Sequence, residues 1–187
     1  MIYTIFDLET SGLNAGTDDV LQFAYMLFDS DTNQCLRANS FYLWEDDFRW
    51  TFDAYNVHGI SKEFLKALPK ERMPEKYQEM FTVLSRANLA GYNVVKFDRP
   101  FVDAFLANHS VKPLPYDSIT DVMVLAQKAT GKRKKLTELT RELGHTPESV
   151  QAINNLWFGT TGQAHDASYD VTATALCLVE LRRLGYA

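Results

Sequence analysis

Cysteine is scarce in this chain of 187 residues, which contains only Cys35 and Cys177. Two cysteines do not provide a disulfide framework, so we expect free thiols in a reducing compartment. The chain begins without a basic stretch followed by an apolar run, and it has no apolar run of about 18 residues. We therefore expect a cytoplasmic protein that has no signal peptide and does not contact a membrane.

Positive charge is not in excess either, since 19 Lys and Arg residues stand against 24 Asp and Glu residues, for a net charge of −5. This balance argues against a protein that coats nucleic acid through bulk positive charge. It leaves open a local basic groove and an acidic site neutralised by metal. The hydrophobic content of 46% is ordinary for a globular protein, and we expect a single domain over residues 1–187.

The hydrophobic pattern predicts three strands, then alternating helices and strands, and then helices. Strands are predicted over 2–8, 20–29, 36–44 and 88–95, and an extended segment around 115–118. Helices are predicted over 74–87, 100–108, 121–129, 136–143 and 166–184. This order predicts an α/β fold with a mixed sheet, in which an antiparallel meander is extended by parallel strands and flanked by helices.

Two carboxylates end the first predicted strand, in the segment FDLETSGL. Asp7 and Glu9 stand at i and i+2, so their side chains share one face of the strand, roughly 7 Å apart. Ionised carboxylates this close repel each other, and an arginine fork, a shared proton or a divalent cation must compensate them. Oxygen ligands suit Mg²⁺ or Mn²⁺. The alternative is that Glu9 has already left the strand and faces solvent.

Further polar candidates follow in two other segments. In GYNVVKFDRPFV, Asp98 is either part of the same site or a helix N-cap, and Asn93 either turns the chain or orients a ligand. In AHDASYD, Asp166 is expected to cap the last helix, which places Asp170 in its first turn. His165 precedes this helix on a loop, where it either exchanges protons near neutral pH or is simply solvated.

The segments FDLETSGL, GYNVVKFDRPF and HDASYD together resemble the three motifs of the DEDDh family of 3′–5′ exonucleases, which have a ribonuclease H-like fold. In motif order, the family pattern falls on Asp7, Glu9, Asp98, His165, Ala167 and Asp170. The tyrosine branch of the superfamily would need a tyrosine at position 166, where this chain has aspartate, so the histidine branch fits.

The resemblance implies a 3′–5′ exonuclease that uses two divalent cations, Mg²⁺ or Mn²⁺. Its substrate would be single-stranded nucleic acid with a free 3′ end, and its product a nucleoside 5′-monophosphate. The implied cation ligands are Asp7, Glu9, Asp98 and Asp170, with His165 as the general base. DNA is the expected substrate. The alternatives are RNA trimming by the same chemistry and a catalytically inactive module that binds nucleic acid.

The resemblance also implies substrate contacts beyond these five residues. The expected substrate-binding residues are Thr10, Leu13, His58, Ile60 and Asn93. Leu13 either wedges against the terminal base or packs within the protein, and His58 either lines the base pocket or only leads into a helix.

Three other segments carry aromatic or basic side chains. The aromatic stretch FYLWEDDFRWTFDAY is expected mainly to pack within the protein, although stacking on bases is an alternative. The basic run 132–135 either binds phosphates or forms a solvated loop. Trp157 and Phe158 are expected in the loop that leads to His165.

Overall fold

A computed structural model describes residues 1–86, 88–109, 118–160 and 162–187. Within these ranges one sheet contains β1 Ile2–Thr10, β2 Val20–Asp29, β3 Gln34–Tyr42, β4 Asn88–Gly91 and β5 Ser118–Asp121. The order across the sheet is β3-β2-β1-β4-β5. β2 pairs antiparallel with β1 and β3, whereas β4 pairs parallel with β1 and β5. The predicted mixed sheet is therefore confirmed. Most of the extended segment expected around 115–118 lies outside the described residues.

The described helices are α1 Phe52–His58, α2 Lys62–Lys66, α3 Met73–Leu84, α4 Asp98–Asn108, α5 Val122–Thr130, α6 Leu136–Glu142, α7 Pro147–Phe158 and α8 Ala167–Arg183, with a 3₁₀ turn at Lys70–Arg72. The five predicted helices are present with shifted ends. In contrast, α1, α2 and α7 were not predicted. α7 nevertheless carries the usual end signals, since Thr146 accepts from the Ser149 N–H, Pro147 stands in the first turn and Gly159 ends the helix with φ 69°.

β1 lies between β2 and β4, and helices cover both of its faces. Phe6 and Leu8 face the cluster that includes α3 and α4. Ile5 faces the opposite cluster, to which α5, α6 and α8 contribute. Because side chains alternate along a strand, Asp7 continues the α8 face of β1 beyond the apolar core. The sheet thus places the Asp7 carboxylate on the side on which α8 begins.

β4 ends at Gly91, so the strand predicted over 88–95 is too long. A Cβ atom at Gly91 would lie 2.7 Å from the Cβ atom of Val94 and 3.0 Å from the carbonyl oxygen of Phe6, so glycine suits this close approach. Asn93 then adopts φ 59° and turns the chain. The Asp121 carboxylate accepts hydrogen bonds from the backbone N–H groups of Asn93 and Val95. Beyond the end of β4, these two hydrogen bonds take the place of pairing with a neighbouring strand. The chain then continues into α4.

Trp157 and Phe158 do not lie in a loop, as the sequence interpretation held, but in the last turn of α7. Trp157 packs against Phe28 of β2, with ring centroids 6.1 Å apart. These residues therefore help fix α7 on the sheet. In the aromatic stretch, Phe48 is buried, whereas Phe52 is exposed. In the described part of the chain, no helix combines the length and apolarity that crossing a bilayer requires.

Candidate active site

The acidic site forms where β1 ends and α8 begins. Carboxylate oxygens of Asp7, Glu9 and Asp170 lie within 4.8 Å of one another. Glu9 is buried and pairs in register with Gln22, and the register with β2 shifts between Glu9 and Thr10. Bulges of this kind are frequent next to active sites because they re-aim side chains. Glu9 therefore remains in the strand, and the alternative that it faces solvent is wrong.

Asp98 lies in the same region as these three carboxylates, but it is carried by α4. It is the first residue of α4, whose N-cap is Phe97, so the interpretation of Asp98 as the N-cap is wrong. Its side chain is only 2% exposed. Its Oδ1 atom accepts a hydrogen bond from the Leu8 N–H at 3.1 Å. This bond ties the start of α4 to β1 between the two carboxylates of the first motif.

Burial and mutual repulsion raise the pKa values of the carboxylates in this site. Burial, followed by the charges of Asp98, Asp170 and Glu9, raises the pKa of Asp7 well above its usual range. Burial and the charges of Asp170, Asp166 and Asp98 raise the pKa of Glu9 to about 9. Burial and like charge therefore both oppose the ionisation of Asp7 and Glu9.

The other two carboxylates of the site also have raised pKa values. Burial raises the pKa of Asp98 to about 8, against hydrogen bonds from the backbone N–H groups of Leu8 and of Asp98 itself. Burial raises the pKa of Asp170 to about 7, against a hydrogen bond from the His165 backbone. Oxygen-only donors in this arrangement fit a hard divalent cation such as Mg²⁺ or Mn²⁺.

His165 lies on the loop before α8, as predicted, and its side chain is exposed. Its backbone adopts φ 67°, a left-handed conformation that is uncommon outside glycine. Asp166 caps α8 by accepting a hydrogen bond from the Ser168 N–H, which confirms its predicted place. Asp170 consequently lies in the first turn, where its position was also predicted correctly.

The carboxylates and His165 line a cleft of about 460 Å³. The sequence interpretation missed several other residues of this cleft, namely Val57, Tyr92, Phe97, Met123, Leu136 and Thr137, whereas Lys135 belongs to the basic run for which phosphate binding was one alternative. For Phe97 and Val57 a weak signal existed, because each directly precedes a residue of an expected motif. Tyr92 stands within the segment GYNVVKFDRPFV itself, whereas Met123, Leu136 and Thr137 reach the cleft only through the packing of α5 and α6 beside the parallel strands.

A second pocket of about 380 Å³ adjoins the cleft and contains three of the expected substrate residues, Thr10, Leu13 and His58. Leu13 is 87% exposed, so the alternative that it packs within the protein is wrong. The Thr10 hydroxyl donates to the Gly12 carbonyl at 2.6 Å. His58 closes α1, and its Nδ1 accepts a hydrogen bond from the Ile60 N–H. The pocket combines exposed apolar surface with polar groups close to Glu9.

The remaining two expected substrate residues have different surroundings. Ile60 is 6% exposed and packs with Leu21, Phe48 and Leu65, so the structure does not bring its side chain to the carboxylates. Hydrophobic burial of this side chain outweighs its nearness in sequence to His58. Asn93 lines the cleft and accepts a hydrogen bond from Arg133 through Oδ1 at 3.1 Å.

Sequence and structure comparisons identify what this chain resembles. The profile of the exonuclease family RNase_T matches residues 4–178, whereas no curated protein is significantly similar in sequence. The zinc-bound complex of E. coli exonuclease I with single-stranded DNA has a TM-score of 0.76 and 20% identity. That match covers 98% of this chain but 40% of exonuclease I, so the present chain spans about two fifths of that relative.

A further solved structure is the nuclease domain of 3′hExo, described as a DEDDh family member and bound to rAMP. It has a TM-score of 0.71 and 13% identity, and the match covers 98% of this chain and 92% of that chain. These structural likenesses agree with the ribonuclease H-like fold, and the profile match extends over all three motifs. The chain therefore belongs to the RNase_T exonuclease family, and its resemblance to the DEDDh exonucleases is confirmed.

Proposed function

We propose that this chain is a metal-dependent 3′–5′ exonuclease that hydrolyses single-stranded DNA from its 3′ end and releases nucleoside 5′-monophosphates. One observation carries the proposal: carboxylate oxygens of Asp7, Glu9 and Asp170 converge within 4.8 Å in a cleft that also contains His165. The family assignment supports exonuclease chemistry. The polarity, the substrate and the role of each residue belong to the proposal.

Asp7, Glu9 and Asp170 would hold divalent cations together with Asp98. Four carboxylates balance two such cations, which matches the proposed count of two Mg²⁺ or Mn²⁺ ions. When bound, the cations supply Lewis-acid activation and stabilise charge on the transferring phosphoryl group. The chain's own contribution is to hold the ligands rigidly, since β1, α4 and α8 each fix at least one of them.

His165 would accept a proton from the attacking water through an imidazole nitrogen. Its exposed position on a loop allows the ring to approach a water in the cleft and then to release the proton to solvent. A general base of this kind contributes roughly 10²–10⁴-fold to the rate. The pocket formed by Leu13, Val57 and His58 would bind the 3′-terminal nucleotide, with Leu13 against its base.

The sugar of the substrate, deoxyribose or ribose, distinguishes two candidate functions. E. coli exonuclease I has been crystallised with a dA16 oligonucleotide, and this supports DNA for the present chain. The complex of 3′hExo with rAMP favours RNA as the second candidate, because that nuclease domain matches this chain over nearly its whole length. A catalytically inactive module is disfavoured, because none of the five motif residues is replaced.

The direct test uses 5′-labelled single-stranded DNA and RNA of equal sequence, incubated with Mg²⁺, Mn²⁺ or a chelator. We expect a metal-dependent ladder of products that shorten from the 3′ end, and faster shortening of DNA than of RNA. Faster shortening of RNA would select the second candidate. Intact oligonucleotides with folded protein and either cation would contradict the proposed activity.

A further inference from the structure

The loop between α7 and α8 carries His165, and its described residues are 159–160 and 162–166. Among the described residues, none forms a hydrogen bond with the His165 imidazole, which is exposed. The backbone turns at His165 with φ 67°, and next to it the Asp166 N–H donates to the Gln163 carbonyl at 2.9 Å. The direction of the imidazole therefore depends on how the rest of the protein holds this loop.

Asn154, in α7, is completely buried beside this loop. Its Nδ2 group donates to the carbonyl and to the hydroxyl of Thr160, at 3.2 Å each, and to the Ser168 hydroxyl at 3.4 Å. Its Oδ1 atom accepts a hydrogen bond from the Thr172 hydroxyl at 2.9 Å. Burying an amide is unfavourable unless such partners satisfy it. The Asn154 amide therefore links the start of the loop to the first turns of α8.

The hydrogen bonds continue from Ser168 to the other end of the loop. The Ser168 hydroxyl donates to Asp166 Oδ1 at 2.5 Å and lies 3.2 Å from the Thr160 hydroxyl. Gly162 passes close to these groups, since a Cβ atom there would lie 3.0 Å from Asp166 Oδ1 and 3.1 Å from Asn154 Nδ2. Thr160 and Asp166, near the two ends of the loop, are thus connected through one buried amide.

Apolar packing already attaches α7 to α8 on the face that carries Asn154. Val150 stands one turn earlier on that face and packs with Tyr169 and Ala173. An apolar side chain at position 154 would extend this packing. The amide instead presents hydrogen-bond donors to the loop, and a fully paired polar group in a core fixes one geometry of the groups around it.

We propose that Asn154 is a positioning residue for the exonuclease reaction, which holds the loop so that the His165 imidazole faces the attacking water in the carboxylate cleft. The inference rests on the proposed function, in which His165 takes a proton from that water. Asn154 is not among the described residues that line the cleft, so it acts through His165 and not on the substrate. Its loss should lower kcat and leave KM near the wild-type value.

The test is a double-mutant cycle on single-stranded DNA with Mg²⁺. Asn154→Leu removes the amide with little change in side-chain size. We expect it to lower kcat by about 10- to 100-fold, because a catalytic group misplaced by about 1 Å loses rate on this scale. In the His165→Ala background, where no imidazole remains to be positioned, Asn154→Leu should lower kcat no further. Equal losses in the two backgrounds overturn the inference.

Thr4→Val is the matched control for a lost buried hydrogen bond. Thr4 is buried in β1 and donates to the Val83 carbonyl at 3.2 Å, away from the loop. This variant should lower the melting temperature and leave kcat unchanged. Thr160→Val tests the loop side of the contact even where Asn154→Leu does not fold, because Thr160 is exposed. It should also lower kcat, and a wild-type kcat in this variant overturns the inference.

Hydrogen exchange separates a failure of the inference from a failure of the proposed function. The backbone N–H groups of Asp166 and Ser168 are hydrogen-bonded, so their exchange with deuterium reports how often this part of the loop opens. Exchange should be faster in Asn154→Leu and unchanged in Thr4→Val, and unchanged exchange in Asn154→Leu overturns the inference. A wild-type protein that hydrolyses no DNA contradicts the exonuclease function instead, and the contact then serves the fold alone.

Discussion

The carboxylates of Glu79 and Glu9 both pack beside the sheet, but the groups that surround them differ. Glu79, on α3, accepts hydrogen bonds from Tyr25, Arg37 and Asn39, and the Arg37 contact is 2.8 Å long. Burial would raise the pKa of Glu79, but these hydrogen bonds outweigh it and lower the pKa. At Glu9, burial acts in the same direction as the neighbouring carboxylates, and the pKa rises to about 9.

The chain compensates the carboxylate of Glu79, whose role is structural. Around Glu79, residues of β2 and β3 supply a cation and neutral donors. Around Glu9, carboxylate oxygens of Asp7 and Asp170 lie within 4.8 Å, and bound cations would stabilise the ionised forms of such a group. The contrast separates a carboxylate that holds the fold together from one that, in the proposed function, binds a cation.

The largest effect is expected from Asp170→Asn. Removing one carboxylate from the acidic site should reduce hydrolysis of single-stranded DNA by about 10³-fold or more, because the loss of cation binding costs several kcal/mol of transition-state stabilisation. Thermal unfolding in chelator should be unchanged or occur at a higher temperature, because the mutation relieves repulsion. The rate of nucleotide release and the melting temperature measure both effects, and normal turnover would remove Asp170 from the site.

A smaller loss is expected from His165→Ala. The rate at neutral pH should fall by roughly 10²–10⁴-fold, as for the removal of a general base. Cation binding, followed by calorimetry with Mn²⁺, should be retained because the carboxylates are intact. An unchanged rate at neutral pH would exclude His165 from proton transfer.

The stability of the metal-free protein should depend on pH in a defined direction. A carboxyl group whose pKa is raised by folding binds protons more tightly in the folded state, so its contribution is fully present below its unfolded pKa and is lost as the pH rises through the folded value. For Glu9 this window runs from 4.5 to about 9. We expect the melting temperature in chelator to decrease over this range and Mg²⁺ or Mn²⁺ to restore it. A melting temperature that rises with pH in chelator would contradict the uncompensated site.

The smallest effect is expected from Glu79→Gln. This change removes the charge from a side chain that is 25% exposed, and we expect it to destabilise the fold by about 1 kcal/mol. Denaturant unfolding should show the loss, while DNA hydrolysis with Mg²⁺ should stay near the wild-type rate. A large loss of activity with unchanged stability would mean that Glu79 serves the activity and not the fold. That result would contradict the contrast with Glu9.

Much of the site could be predicted because its residues are governed by local rules. The alternation of a strand places Asp7 and Glu9 on one face, and the capping of α8 by Asp166 places Asp170 in the first turn. Ile60 shows the limit of such rules. Because Ile60 is close to His58 in sequence, both were expected in one pocket. Instead, the Ile60 side chain is buried in the core with Leu21 and Leu65.

Local sequence rules specify the class of fold, the three motifs and the order of the motifs along the chain, because periodicity and helix capping act over a few residues. Contacts between distant elements specify that the Asp98 carboxylate accepts a hydrogen bond from the Leu8 N–H across 90 positions and that Asp121 turns the chain after β4. Such contacts also place Lys135 at the cleft. These outcomes depend on the packing of distant elements, in which many weak contacts compete and no short segment specifies the result.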